Sequence, residues 1–147
     1  MTDIDAVSWF YMNCLRPGVK RIADAGAFLA ESGLLSRSYL DVNLDESIQI
    51  DTWEQSDFSI FPAQRHIYDS IYEKGFMPEK EYDVVFFFEN HQGRVSKDTV
   101  LWAMSHGKTL IFQEDLLYPE FLETELCNYP IEIYKQGASF FFQVKMQ

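Results

Sequence analysis

The sequence predicts an α/β domain with three layers: a mainly parallel sheet of five or six strands, helices on both faces, and a C-terminal antiparallel hairpin. Short apolar runs alternate along the chain with segments of helical periodicity, which is typical of this class. Residues 84–88 include no polar residue, the pattern of a parallel strand that is covered on both faces. Two further apolar runs flank Gly137, as in a β-hairpin.

Length and composition indicate one globular unit without a membrane segment. The chain has 147 residues, of which 47% are hydrophobic and 16% aromatic, so a single domain over 1–147 is expected rather than a disordered chain. No apolar run approaches the roughly 20 residues that cross a bilayer. The first residues are acidic and lack the basic start of a secretory signal. Two distant cysteines indicate neither a disulfide framework nor a zinc site. We therefore expect a cytoplasmic protein without a metal site.

In the first half of the chain, the predicted elements are short. Residues 6–12 favour a core strand, and the Pro17-Gly18 pair ends it. Apolar residues then recur at helical spacing over 19–30, with Asp24 on the polar side, which predicts a helix. Residues 38–44 are compatible with a short edge strand, and alternation over 47–53 predicts a half-exposed strand.

The second half alternates more clearly. Residues 63–75 predict a helix, and 83–89 a buried strand. A helix follows over 99–107, with Ser96 or Asp98 as its cap and Gly107 at its end. Residues 108–115 predict a strand, and 117–128 a helix with Pro119 in its first turn. The hairpin occupies 130–146.

The net charge of −11, from 12 basic and 23 acidic residues, argues against binding to nucleic-acid duplexes and to anionic membranes. No Lys or Arg lies between Arg37 and Arg65. This stretch is either a solvated connection or a docking surface for a basic protein partner. Its acidic residues, the candidate partner-binding set, are Asp41, Asp45, Glu46, Asp51, Glu54 and Asp57.

Polar residues follow three predicted strands, at 13–16, 89–91 and 113–115. Ligands of open α/β sheets bind at the carboxyl edge of the strands, so these loops are expected to form one site; the alternative is that strands simply leave the core through polar residues. The loop before the predicted helix at 99–107 contains Arg94, Ser96 and Lys97. Together with the helix N-terminus, it is a candidate anion site for phosphate or carboxylate.

The first β-α unit and the segment "DVVFFFE…SKDTVLWAMSHGKTLIF" resemble nucleoside 2-deoxyribosyltransferase-like domains. Ala103, Gly107, Lys108 and the strand 109–112 match the second half of that family's motif. The position of the family's catalytic Glu holds Thr99 here, with Asp98 beside it. The resemblance implies a Rossmann-like fold and a nucleoside-type ligand.

Two functions are predicted from these features. In the first, the domain binds a nucleoside, nucleotide or sugar phosphate and cleaves or transfers an N-glycosidic bond without a cofactor. Such chemistry uses two carboxylates, for which Asp98 and Glu89 are the candidates. The candidate ligand-binding residues are Asn13, Arg16, Asn90, Arg94, Ser96 and Thr99.

In the second, the chain is a non-catalytic inhibitor or immunity protein whose acidic surface masks a basic partner. A third alternative is a homo-oligomer formed through an exposed edge or aromatic surface.

Overall fold

A single seven-stranded sheet organises the protein. The computed structural model describes residues 18–25, 49–53, 68–73, 75–87, 93–136 and 139–146. The strand order is β3-β2-β1-β4-β5-β7-β6. Strands β1 to β5 are parallel, and β7 is antiparallel to both β5 and β6. The strands are β1 Arg21–Asp24, β2 Gln49–Trp53, β3 Ser70–Tyr72, β4 Tyr82–Phe87, β5 Gly107–Gln113, β6 Ile131–Gln136 and β7 Ser139–Lys145.

The predicted fold class is confirmed: the sheet is mainly parallel and ends in an antiparallel hairpin, although it has seven strands rather than five or six. Helix α1 spans Lys97–His106, close to its predicted range, and Ser96 is its N-cap. A 3₁₀ turn at Glu114–Leu116 and the short helix α2, Pro119–Glu123, follow β5. Helix α2 covers part of the helix predicted over 117–128.

Two predicted helices are wrong where the structure describes them. Residues 21–24 form β1, an inner strand of the sheet, although their apolar spacing also fits a helix. Residues 70–72 form β3, which pairs in parallel with β2. In both places, hydrogen bonds to strands distant in sequence override the local pattern. The strands predicted at 6–12 and 38–44 lie outside the described residues.

The core lies on both sides of the sheet. Four consecutive residues, 84–87, are buried, so both faces of β4 are covered. On one face α1 contributes Val100, Trp102 and Ala103, which pack with Leu110 of β5 among others. Strand β2 is also buried from Ile50 to Trp53, rather than half-exposed as predicted. No helix in the described ranges is long and apolar enough to span a bilayer.

The strand order reverses at β1. From β1 the chain proceeds outward to β2 and β3 on one side, then returns to β4 on the other. In open α/β sheets a crevice forms at such a point, outside the carboxyl ends of the two diverging strands. The topology therefore places the expected ligand position at the ends of β1 and β4.

Candidate functional site

The ends of β1 and β4 are joined directly. Asp24 is the last residue of β1 and pairs in register with Thr52 of β2 on one side and Phe86 of β4 on the other. The amide of Ala25 donates a hydrogen bond of 3.1 Å to the carbonyl of Phe86. The backbone is thus fixed at the point where the strand order reverses.

Asp24 is a buried carboxylate at this edge, only 2% exposed. Its Oδ2 accepts a 2.9 Å hydrogen bond from the hydroxyl of Tyr68, a buried residue that shortly precedes β3. Its backbone oxygen accepts a 2.6 Å hydrogen bond from Thr52 Oγ1. Because burial of a charge is costly without partners, these contacts hold the carboxylate in place.

The sequence prediction missed Asp24 as a site residue, because it assigned residue 24 to the polar side of a helix. A usable signal was present in the sequence. Asp24 follows the apolar pair Ile22-Ala23 and is itself followed in the sequence by the small residues Ala25 and Gly26. Only the pairing of β1 with β2 and β4 shows that this pattern lies at the end of a strand.

The carboxyl end of β5 carries a second group of contacts. The amide of Val95 donates to the carbonyl of Leu116 at 2.8 Å, and Arg94 Nη1 donates to the carbonyl of Leu117 at 3.2 Å. The Arg94 guanidinium also lies 5.2 Å from the centre of the exposed Tyr118 ring. Arg94, predicted as ligand-binding, therefore tethers the turn after β5.

Ser96 and Thr99, also predicted as ligand-binding, contact each other at the start of α1. The Thr99 amide donates to Ser96 Oγ at 3.3 Å, and the two side-chain oxygens are 3.0 Å apart. Ser96 is thus a helix cap, one of the two caps predicted. Asp98 is exposed in the first turn of α1, where a carboxylate interacts favourably with the helix dipole. Its catalytic role stays a prediction.

Most of the other predicted residues lie outside the described part of the chain. These are Asn13, Arg16, Glu89 and Asn90 of the expected site, and Asp41, Asp45, Glu46, Glu54 and Asp57 of the acidic stretch. The described member of that stretch, Asp51, is not on an exposed acidic surface. It is 2% exposed in the middle of β2.

Asp51 belongs to a polar cluster with Tyr82 and Lys80. Its Oδ2 accepts a 2.7 Å hydrogen bond from Tyr82 and lies 3.3 Å from Lys80 Nζ. Burial, together with the hydrogen bond to Asp51, raises the pKa of Tyr82 far above its ordinary value. The pKa of Lys80 is raised by its hydrogen bond to Tyr72 and then by Asp51. These groups satisfy one another and stabilise the core.

An open cleft of about 130 Å³ lies at the opposite, amino edge of the sheet. Its lining includes His106 and Lys108. His106 is paired with Glu79 at 3.2 Å and Lys108 with Asp83 at 3.3 Å, so both basic groups already have acidic partners. We place the candidate site at the carboxyl edge, because strand topology and the buried Asp24 coincide there. Within the described residues, no three His, Cys, Asp or Glu side chains are arranged to hold a metal ion.

Comparison with known proteins identifies similar folds. No protein-family model matches the chain, and no curated protein does. A candidate O-methyltransferase from Klebsiella pneumoniae matches 99% of this chain and 81% of its own, with a TM-score of 0.64 and 9% identity. A candidate class I S-adenosylmethionine-dependent methyltransferase from Listeria monocytogenes matches 97% of this chain and 58% of its own, with a TM-score of 0.61 and 12% identity. The CurJ carbon methyltransferase matches 97% of this chain and 53% of its own, with a TM-score of 0.59 and 12% identity.

These similarities establish a methyltransferase-like α/β fold and correct three predictions. The resemblance to nucleoside 2-deoxyribosyltransferases is wrong, although its Rossmann-like part is consistent with the fold. The N-glycosidic activity and the inhibitor role are likewise wrong, because the similar solved structures are methyltransferases. The chain spans 81% of the first of these structures, 58% of the second and 53% of the third.

Proposed function

We propose that this chain binds S-adenosylmethionine at the carboxyl edge of β1 and β4 and acts as a methyltransferase-type domain. The observation that carries the proposal is the buried Asp24 carboxylate at the reversal of strand order. The fold similarity supports the ligand class. The position follows from the general rule that open α/β sheets bind ligands at this point.

Charge favours this ligand over a phosphate-bearing nucleotide. S-adenosylmethionine carries a sulfonium and an ammonium cation, one carboxylate and no phosphate, so its net charge is positive, whereas the chain carries a net charge of −11. A buried carboxylate attracts a cation most strongly, since the surrounding dielectric constant is low. Asp24 therefore supplies negative charge where a cationic ligand is expected.

The sequence that follows β1 also suits a ligand without phosphates. Dinucleotide sites use several glycines so that the backbone can approach a pyrophosphate. Gly26 is the one glycine in the sequence from Asp24 to Ser32. This sequence lacks the phosphate-binding glycine pattern, so an adenosyl ligand without phosphates is the better match.

A second acidic residue is proposed for the ribose. In sheets of this topology, an acidic side chain that follows the second strand accepts hydrogen bonds from ribose hydroxyls. Glu54 directly follows Trp53, the last residue of β2, in the sequence. When bound, S-adenosylmethionine supplies an activated methyl group on sulfur. The protein's part in this proposal is to bind and orient that ligand through Asp24 and Glu54.

Isothermal titration calorimetry with S-adenosylmethionine, S-adenosylhomocysteine and ATP tests the proposal. We expect binding of the first two and none of ATP. Asp24→Asn should lower the affinity for S-adenosylmethionine by roughly tenfold or more, the range for loss of an interaction with a charged group. Tyr68→Phe should weaken it less, because it removes one hydrogen bond to Asp24 and leaves the charge.

Glu81→Gln is the matched control, since it removes an exposed carboxylate at the opposite edge of the sheet. Its affinity should equal that of the parent. Circular dichroism of each variant separates a loss of binding from a loss of folding. A folded parent that binds neither adenosyl compound, or a folded Asp24→Asn variant with parental affinity, overturns the assignment.

A further inference from the structure

The outer edge of β6 is long and exposes a large hydrophobic side chain. Among the described strands, β6 has a neighbour, β7, on one side only. Ile133, in the middle of β6, is 65% exposed, the largest value among the exposed large hydrophobic side chains of the described residues. An edge strand of six residues with an exposed Ile is a template for pairing with another strand.

The other edge of the sheet is built differently. Strand β3 has three residues, and Asp69 and Glu73 flank it in the sequence. Short edge strands with charged flanks resist pairing with another chain. The contrast singles out β6 as the edge that can accept a further strand.

Backbone hydrogen bonding shows which residues of β6 face outward. The amide of Lys145 donates to the carbonyl of Pro130 at 3.1 Å, so the carbonyl of residue 130 points toward β7. Bonding direction alternates along an antiparallel strand. Ile131, Ile133 and Lys135 therefore direct their amide and carbonyl groups away from β7, toward the open edge.

We propose that two copies of this chain join through β6 as an antiparallel pair, with a two-fold axis at Ile133. Only outward-facing residues can bond to each other across such a pair, and the register with Ile133 opposite Ile133 of the second copy meets this condition. The same register places Ile131 opposite Lys135. The two exposed Ile133 side chains then cover each other, and the sheets of both copies become one continuous sheet.

The other face of the paired strands is also complementary. In this register Glu132 lies opposite Tyr134 of the second copy. Within one chain, the Tyr134 hydroxyl already donates to the Glu132 carboxylate. A phenol and a carboxylate on neighbouring strands pair favourably, so neither face brings like charges together.

Charge explains why the second copy meets at this strand. The chain as a whole carries −11 and repels its own copy, but within β6 the charges of Glu132 and Lys135 cancel. Salt screens the repulsion between the remaining acidic surfaces. Dimerisation should therefore strengthen with added salt, whereas binding of a basic protein partner would weaken with added salt.

Sedimentation velocity over a concentration series, at low and high salt, measures the association. One strand pair buries less than a standard interface of about 1,600 Å², so we expect a concentration-dependent dimer. Ile133→Lys should weaken dimerisation at least tenfold. Leu101→Lys makes the same change at another exposed hydrophobic residue, 41% exposed on α1, and should leave it unchanged.

Disulfide trapping tests the register. In a background with Cys14 and Cys127 replaced by Ser, Ile133→Cys should form a linked dimer on mild oxidation. Directly opposed, hydrogen-bonded residues have Cα atoms about 5.5 Å apart, within disulfide range. Glu132→Cys should link far less, because it faces residue 134.

A parent that stays monomeric at high concentration and salt overturns the proposal. So does equal weakening by Ile133→Lys and Leu101→Lys in variants that circular dichroism shows to be folded, or equal trapping at positions 132 and 133. Because none of these readouts involves a ligand, they test the dimer independently of S-adenosylmethionine binding.

Discussion

The hydroxyl of Tyr82 donates a 2.7 Å hydrogen bond to the carboxylate of Asp51, linking the first residue of β4 to the centre of β2. The two strands are not neighbours, since β1 lies between them. Both side chains are almost fully buried. The bond therefore couples β2 and β4 across β1, with Lys80 as a second partner of Asp51.

Tyr82→Phe should lower the free energy of unfolding by about 1–3 kcal/mol, the range for leaving a buried acceptor without one partner. Urea unfolding, followed by circular dichroism, measures the change. Tyr129→Phe is the control, because Tyr129 is only half-buried near the surface cleft. An equal loss in both variants would contradict a special role for the bond to Asp51.

Alkaline pH provides a second readout of the same bond. The ordinary pKa of the Tyr82 phenol is 10.0, and burial raises it in the folded protein. A group with a raised folded pKa contributes stability that is complete below its unfolded pKa and is lost as pH rises above it. The stability difference between the parent and Tyr82→Phe should therefore shrink from pH 8 to pH 10.5. A constant difference would show that Tyr82 does not ionise differently on folding.

Asp83 should contribute stability at neutral pH and lose it in acid. Its Oδ2 accepts hydrogen bonds from the amides of Lys20 and Arg21, at 2.7 and 3.0 Å, and Oδ1 pairs with Lys108. Burial alone would raise the pKa of Asp83, but these partners lower it below its ordinary 3.8. A lowered folded pKa means that the stability is present above pH 3.8 and lost as pH falls through the folded pKa.

Asp83→Asn should therefore be less stable than the parent by about 1–3 kcal/mol at pH 7, and the gap should narrow at pH 3. Thermal melts at the two pH values measure it. Asp115→Asn, an exposed acid in the turn after β5, should show no comparable gap. A gap for Asp83→Asn that is as large at pH 3 as at pH 7 would exclude this electrostatic origin.

Gly107 is required by close packing rather than by backbone conformation, since its φ is −109°. A Cβ at this position would lie 2.7 Å from Leu110 Cδ2, 2.9 Å from Val85 Cγ2 and 3.0 Å from the carbonyl of Ala103. Gly107→Ala should cost about 1–3 kcal/mol, as overpacking of a core does. Denaturant unfolding gives the value.

A double-mutant cycle supplies the control for Gly107. If the clash with Leu110 contributes to the cost, Gly107→Ala should be less harmful in a Leu110→Val background than alone. Strict additivity of the two changes would instead assign the cost to Val85 Cγ2 and the Ala103 carbonyl.

Ser96→Ala should destabilise α1, because it removes the oxygen that accepts the Thr99 amide. Loss of such a cap typically costs about 1 kcal/mol. Ser105→Ala is the same substitution at an exposed position in the same helix, where the hydroxyl donates to the Leu101 carbonyl, and should cost little. Thermal unfolding compares them. Similar melting temperatures for the two variants would argue against Ser96 as the cap.

Local patterns predicted the second half of the fold well. The run Val84–Phe87 has to be buried on both faces, and Ser96 before the apolar residues of α1 indicates a helix start. The hairpin of β6 and β7 also follows from adjacent residues. These elements depend on contacts within a short stretch of chain, which is why a single sequence reveals them.

The candidate site could not be predicted in the same way. Asp24 sits in a segment whose apolar spacing fits a helix, and its hydrogen-bond partners Thr52 and Tyr68 are 28 and 44 residues away. Asp51 belongs to an acidic stretch for which a surface position was predicted. In the structure its carboxylate is buried and accepts hydrogen bonds from Tyr82 and Lys80. Neither environment is visible before the strands are paired.

By itself, the sequence determined the α/β class, the buried strand β4, the cap of α1 and the terminal hairpin, because these follow from periodicity and neighbouring residues. Tertiary structure alone decided that Arg21–Asp24 is an inner strand of the sheet, between β2 and β4. A four-residue strand gains its stability from hydrogen bonds to β2 and β4, both remote in sequence. That same pairing places the Asp24 carboxylate at the edge where we propose ligand binding.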